Sequence, residues 1–202
     1  MRVLVVAATD AEIADIAPES GDVDFLVTGV GMVATAAQTA RALARTRYHL
    51  ALNVGVCGSF DRTLPPGSVV HVVTDRIAEL GAEDGDGFLT LDELALPGEP
   101  VFVNAAPPAN AALLRLPPVS GITVNTVHGN ERSIEAVVRR FAPQVESMEG
   151  AAFMYACLIN GVPFAQVRAV SNLVERRNRG AWRMSEAIDN LGRAALSILE
   201  GI

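Results

Sequence analysis

Short apolar runs rich in β-branched residues, repeatedly followed by stretches of helical spacing, limit what this chain can fold into. Arg2 to Ala8, Asp24 to Thr28, Leu50 to Gly55, Ser68 to Thr74, Val119 to Val124 and Phe164 to Val170 each read as a buried strand. Val33, Ala36, Ala37, Ala40, Leu43 and Ala44 recur at helical spacing and predict a helix with one apolar face. Glu131 to Arg140 and Glu149 to Asn160 predict two more, and Pro107-Pro108 and Pro117-Pro118 bracket a short one. A final helix carries Ile188, Leu191, Ala195, Ile198 and Leu199 on one side. Such alternation points to an α/β fold with a mainly parallel sheet covered on both faces. At 202 residues and 50% hydrophobic content, one domain over 1–202 can bury a full core.

The remaining bulk features narrow the function. A net charge of -7 argues against a general nucleic-acid binder. Cys57 and Cys157 lie far apart in apolar runs and are expected as buried free thiols of a reducing compartment. His49, His71 and His128 are scattered, and no Cys/His cluster has metal-ligand spacing, so no metal and no cofactor is expected. The N-terminal run lacks the long apolar region and cleavage site of a signal peptide, and no segment is long enough to span a bilayer. A cytoplasmic protein without membrane partners is the expectation. Gly81 to Gly87 is acidic and glycine-rich and reads as a surface loop; it lacks the spacing of a calcium-binding EF-hand.

Several segments could carry chemistry. The first strand ends at Thr9-Asp10-Ala11-Glu12, which places carboxylates where open α/β sheets bind ligands. Helix capping by Asp10, with Glu12 at the positive helix end, is the competing reading. Gly29-Val30-Gly31 joins a strand to a helix. As a dinucleotide loop it lacks the third glycine, Ala34 standing there, and no acidic residue follows at the right distance. Met148-Glu149 heads an Ala-rich helix and sets a carboxylate at the helix mouth, beside Glu146 and Ser147. Arg168 and Ser171-Asn172 arrive at the end of an apolar strand. Glu149 and Arg168 could equally serve as a helix-start carboxylate and a structural ion pair. Arg176, Arg177, Arg179 and Trp182 follow, an unusual density of arginine for an acidic protein, although a solvated basic loop would look the same.

These motifs, in this order over almost the whole chain, resemble the nucleoside phosphorylase and nucleoside hydrolase superfamily, and within it the futalosine hydrolases. The resemblance implies a three-layer α/β sandwich, with a mixed, mainly parallel central sheet of the purine nucleoside phosphorylase type, in a homo-oligomer. Residues 76 to 118 match no motif of the family. By the resemblance, Glu12 activates water, Met148 packs on a ribose and Glu149 accepts from its 2′- and 3′-hydroxyls. Arg168 then orients the carboxylate and the water. Gly31 would lie beside the sugar, and Gly58 belongs to a segment, Asn53 to Ser59, similar to the family's Gly-Ser-x-Gly turn. Phosphorylases carry Arg and Ser where this chain has Asn53 and Val56, and a phosphate loop where it has Thr9 to Glu12. A carboxylate there repels phosphate, so hydrolysis is expected over phosphorolysis.

Asn172 stands where adenine-specific hydrolases have Asp. An amide can accept from a purine N7–H and donate to a 6-carbonyl, which favours a 6-oxopurine such as hypoxanthine. Asn178 to Trp182 is similar to an Asn-Arg-x-x-Trp stretch of the futalosine hydrolases. There Arg179 would pair with a benzoate and Trp182 would close the 5′ pocket. The expected reaction is hydrolysis of a small-molecule purine nucleoside, futalosine, to hypoxanthine and dehypoxanthine futalosine, in menaquinone synthesis. A purine nucleoside phosphorylase, a methylthioadenosine-type nucleosidase and a non-catalytic nucleoside-binding module are the alternatives. His128, in a loop beside the base, reads as a plain loop residue.

Overall fold

The computed structural model describes residues 1–16 and 22–202. The apolar runs form the strands of one mixed sheet: β1 (Val3–Ala7), β2 (Val23–Val27), β3 (Leu50–Ser59), β4 (Val69–Ile77), β7 (Val101–Val103), β8 (Pro118–Thr123), β9 (Val145–Ser147) and β10 (Phe164–Leu173). The helices are α1 (Met32–Arg45), α2 (Ala111–Leu114), α3 (Glu131–Phe141), α4 (Gly150–Asn160) and α5 (Met184–Glu200). Alternation along β1 sorts its side chains onto two faces. Leu4 and Val6 pack with Leu43 of α1 and Phe153 and Met154 of α4. Val3, Val5 and Ala7 pack with Leu113 of α2 and Leu191 and Ala195 of α5. Helices therefore cover both faces of the sheet, the three-layer arrangement expected.

The sheet also closes partly on itself. β3 pairs with β10, β10 with β4, β4 with β8, β8 with β9, and β9 returns to β3. The pairs β4–β10, β4–β7 and β3–β9 are antiparallel, and the rest of this sheet is parallel. β3 makes the closure possible because it serves two neighbours along one edge. Leu50 to Asn53 pair with β1, and Gly58 and Ser59 pair with β9. Between them, Val54 to Cys57 have no strand partner on that edge. The backbone groups freed there face the point where the sheet splits, where open α/β sheets accept ligands.

The reading of Gly81 to Gly87 as a loop is corrected. Gly81–Asp84 (β5) and Gly87–Thr90 (β6) form a two-stranded hairpin separate from the main sheet. Gly85 takes φ +59° in its two-residue turn, a conformation hairpin turns demand and glycine supplies. Its exposed acidic residues hid the strand signal, since neither face enters a core; instead Arg140 stacks over Phe88 at 4.0 Å. β7 and β9 also escaped prediction, each being only three residues long. Among the described residues no helix is long and apolar enough to cross a membrane.

Candidate active site

A cavity of about 430 Å³ opens at the split in the sheet. Glu12 reaches it from a short 3-10 turn, Asp10–Glu12, that follows β1. The turn folds as a capping box. The backbone N–H of Thr9 donates to Glu12 Oε2 at 2.9 Å and the Thr9 hydroxyl donates to the same oxygen at 3.0 Å. The other oxygen, Oε1, accepts from the N–H of Val56 at 3.1 Å, one of the groups freed where β1 leaves β3. Glu12 is only 7% exposed, yet its carboxylate is held on both sides and borders the cavity. Asp10 is exposed.

Glu149 enters from the opposite side, as the residue that starts α4. Its Oε1 accepts from the N–H of Gly31 at 3.0 Å, and its Oε2 lies 3.6 Å from Arg168 Nη1. Arg168 is 1% exposed and lies behind the cavity. Its Nη2 donates to Asn53 Oδ1 at 2.6 Å. Gly55 creates the room for this guanidinium: a Cβ there would run into Arg168 Nη1 and come within 3.0 Å of Glu12 Oε1. The glycine thus brings a buried cation between the two carboxylates. Gly150 plays a similar part under the helix start, where a Cβ would collide with Asp75 Oδ2 and the Gln166 amide.

Gly58, Asn172 and Glu146 form the other end of the cavity. A Cβ on Gly58 would sit 3.4 Å from Asn172 Nδ2 and 3.5 Å from Glu146 Cγ, so the bare glycine separates the two side chains. Asn172 Nδ2 donates to the carbonyl of Leu173 at 2.9 Å, and its Oδ1 accepts from the Ser171 hydroxyl at 2.8 Å. One amide hydrogen and one lone pair stay free for a ligand. Glu146 accepts from the His128 N–H at 3.0 Å and lies 2.6 Å from His128 Nδ1. Met148 and Trp182 line the same cavity, and the Arg177 guanidinium stacks on the Trp182 ring at 5.4 Å. Cys57 also lines it, with burial pushing its thiol up to about 12, so it stays a thiol and no nucleophile.

A model of the phosphorylase superfamily matches residues 16–200. Futalosine hydrolase of Streptomyces coelicolor is 37% identical over 189 residues, covering 85% of this chain and 78% of that protein. The chain belongs to the phosphorylase superfamily, among its futalosine hydrolases. Two solved structures share the fold. A futalosine hydrolase mutant of Helicobacter pylori superposes with a TM-score of 0.83 at 15% identity, covering all of both chains. A methylthioadenosine/S-adenosylhomocysteine nucleosidase of Colwellia psychrerythraea, in complex with adenine, superposes with a TM-score of 0.79 at 21% identity, covering 100% of this chain and 95% of that one.

Within this futalosine hydrolase relative, Glu12, Met148, Glu149, Asn172, Trp182 and Gly58 line one cavity. Gly31 and Arg168 reach it through Glu149. Arg179 does not join them: it is exposed on a 3-10 turn, Arg179–Ala181, outside the lining. Three contributors were not anticipated. Gly55 interrupts a buried strand, a signal of close approach. Asn53 places an amide inside an apolar strand, where it must find a partner. Val56 contributes its N–H, which carries no side-chain signature. His128, read as a plain loop residue, is tied to Glu146 by both its backbone and its ring.

A further buried carboxyl supports the helix start. Asp75 accepts from the Thr123 hydroxyl at 2.9 Å and from Gln166 Nε2 at 2.8 Å, while Thr123 accepts from the N–H of Ala151. Burial pushes Asp75 up to about 7, partly offset by the Thr123 hydrogen bond and the charge of Arg168. Its folded value lies above the unfolded one, so its contribution to stability is full below about pH 4 and is lost as pH rises through about 7. Asp75→Asn removes this dependence. Urea melts of both proteins should show the variant gaining on wild type between pH 4 and pH 8 by on the order of 3 kcal/mol. A difference constant with pH would mean that Asp75 does not titrate in that window.

Proposed function

We propose that this chain hydrolyses the N-glycosidic bond of futalosine, releasing hypoxanthine and leaving dehypoxanthine futalosine, a step of menaquinone synthesis. Water attacks the anomeric carbon as the bond to the purine breaks. Glu12 takes the proton from that water, with its free lone pair on the oxygen held by Val56. Glu149 accepts from the ribose hydroxyls, and its charge favours the positive sugar ring of the transition state. Arg168 fixes Glu149 from behind, and Asn172 holds the 6-oxopurine. Met148 packs on the sugar, and Trp182 closes the 5′ side.

One observation carries this reading over phosphorolysis. The residues lining the cavity include Glu12, Glu146 and Glu149, and no Arg or His is among them. A desolvated phosphate dianion needs cationic or N–H partners, whereas water needs a base. Purified protein should therefore release hypoxanthine from futalosine in phosphate-free buffer, and added phosphate should leave the rate unchanged. Turnover of futalosine should exceed that of its 6-amino analogue by about a thousand-fold or more, because the amide that serves a 6-carbonyl meets a donor there. A phosphate requirement would make it a phosphorylase, and equal turnover of the two bases would remove Asn172 as the selector.

The exposed apolar surface supports a homo-oligomer. Val30 lines the cavity while half exposed, and Val33, 83% exposed, and Tyr155 border an adjoining apolar groove. A second copy covering this groove would reach the cavity edge at Val30.

A further inference from the structure

The leaving purine has to gain a proton, and Asn172 has none to give. When the bond from C1′ to the purine nitrogen breaks, its electron pair goes to the base. The proton removed from water rests on Glu12. Of the ionisable groups in the lining, Glu12 is engaged as the base toward water, and Glu149, held by Gly31 and Arg168, is engaged with the ribose hydroxyls. The Cys57 thiol is held neutral by burial. Glu146 differs from all of these, because one of its partners can give up a proton. Its Oε2 lies 2.6 Å from His128 Nδ1, a contact slightly shorter than the usual charge-assisted N–H···O bond.

We propose that Glu146 and His128 form a relay that protonates the departing purine. This rests on the reading of the site given above. His128 carries the proton as an imidazolium, and its Nδ1–H passes to Glu146. Glu146 delivers it to a nitrogen of the base as the C1′–N bond breaks and the water oxygen bonds to C1′. Glu12 later returns the water's proton to solvent, and His128 regains one from solvent, so the protons balance over a turnover. Glu146 is the catalytic residue here, and His128 acts through it as a positioning residue and proton source.

The placement of His128 suits this exchange. Its side chain is 14% exposed, and it borders a second cleft of about 390 Å³. Glu79, Glu83 and Arg140 line that cleft. Phe60 packs edge-on against the ring at 6.0 Å and holds it toward Glu146. Arg177 donates its backbone N–H to Gly129, next to His128 in the chain. The charged groups around the imidazole are thus Glu146 on the cavity side, Glu79, Glu83 and Arg140 along the second cleft, and Arg177, whose guanidinium turns toward Trp182 on the cavity side. Glu146 lines the candidate active-site cavity and His128 the neighbouring cleft, so the pair spans the wall between the two.

A leaving group that needs no proton separates a relay from a mere structural support. The substrates are futalosine and a 4-nitrophenyl riboside with the same 5′ substituent, whose phenolate departs unprotonated. The His128→Asn variant keeps an amide donor for Glu146 but cannot transfer a proton. It should lower kcat on futalosine by about a hundred-fold and leave the nitrophenyl riboside within about threefold of wild type. Glu146→Gln should show the same split and serves if the His128 variant fails to fold. An equal loss on both substrates, or no loss on futalosine, would overturn the relay. Wild-type protein inert toward futalosine would instead remove the function on which the relay rests.

Discussion

Glu12→Gln should lower kcat on futalosine by about a hundred- to ten-thousand-fold, the range that base assistance typically contributes. KM should change little, because the proposed reaction has Glu12 meet the attacking water and neither the ribose nor the purine. The amide cannot satisfy every donor that surrounds it. Thr9 offers two donors to one oxygen, so the amide NH₂ must turn toward the N–H of Val56. That mismatch should cost about 1–3 kcal/mol, a fall of a few degrees in melting temperature. Kinetics and a thermal melt on one preparation separate the two effects. A variant with wild-type kcat would show that another group takes the proton.

Arg168→Met is the largest structural effect expected. It leaves the buried Glu149 carboxylate with only the Gly31 N–H and strips Asn53 Oδ1 of its donor. Breaking a buried pair from one side typically costs about 3–5 kcal/mol, and water reaching Glu149 from the cavity sets this loss toward the lower end. For a protein of this size the melting temperature should fall by on the order of 10 °C. Arg168→Lys should recover only part of it, because one ammonium cannot bond Asn53 and Glu149 together as a planar fork does. The variants' KM for futalosine should rise with the disorder of Glu149. A stable Arg168→Met protein with unchanged KM would show that the helix start and Gly31 hold Glu149 unaided.

What could be read from the residues divides along physical lines. The long strands and helices were visible because burial on both faces or on one stripe writes a period into the chain. Glu12, Glu149 and Asn172 stood out because carboxylates and amides at the ends of apolar runs need a reason. β9 could not be read that way, since three residues carry no period, yet it places Glu146 opposite Gly58. The parts of the site made by backbone or by the lack of a side chain were equally silent. Val56 serves through its N–H and Gly55 through its missing Cβ. The link between His128, a loop residue as expected, and Glu146 was silent for a different reason: the two are eighteen residues apart, and only the fold brings them together.

The pairing of β3 with β10 has a consequence for how the molecule comes into being. Asn53 and Arg168, which bond across it, are 115 residues apart. Until β10 has been made and docked, the Asn53 amide has no guanidinium beside it and Glu149 has no counter-charge. The first half of the chain thus leaves the ribosome with half of the candidate site and one raw edge of its longest strand. Such distant pairing slows folding and leaves edges open to the wrong partners meanwhile. Competence for chemistry should appear late and all at once, with the docking of a single strand as its last event.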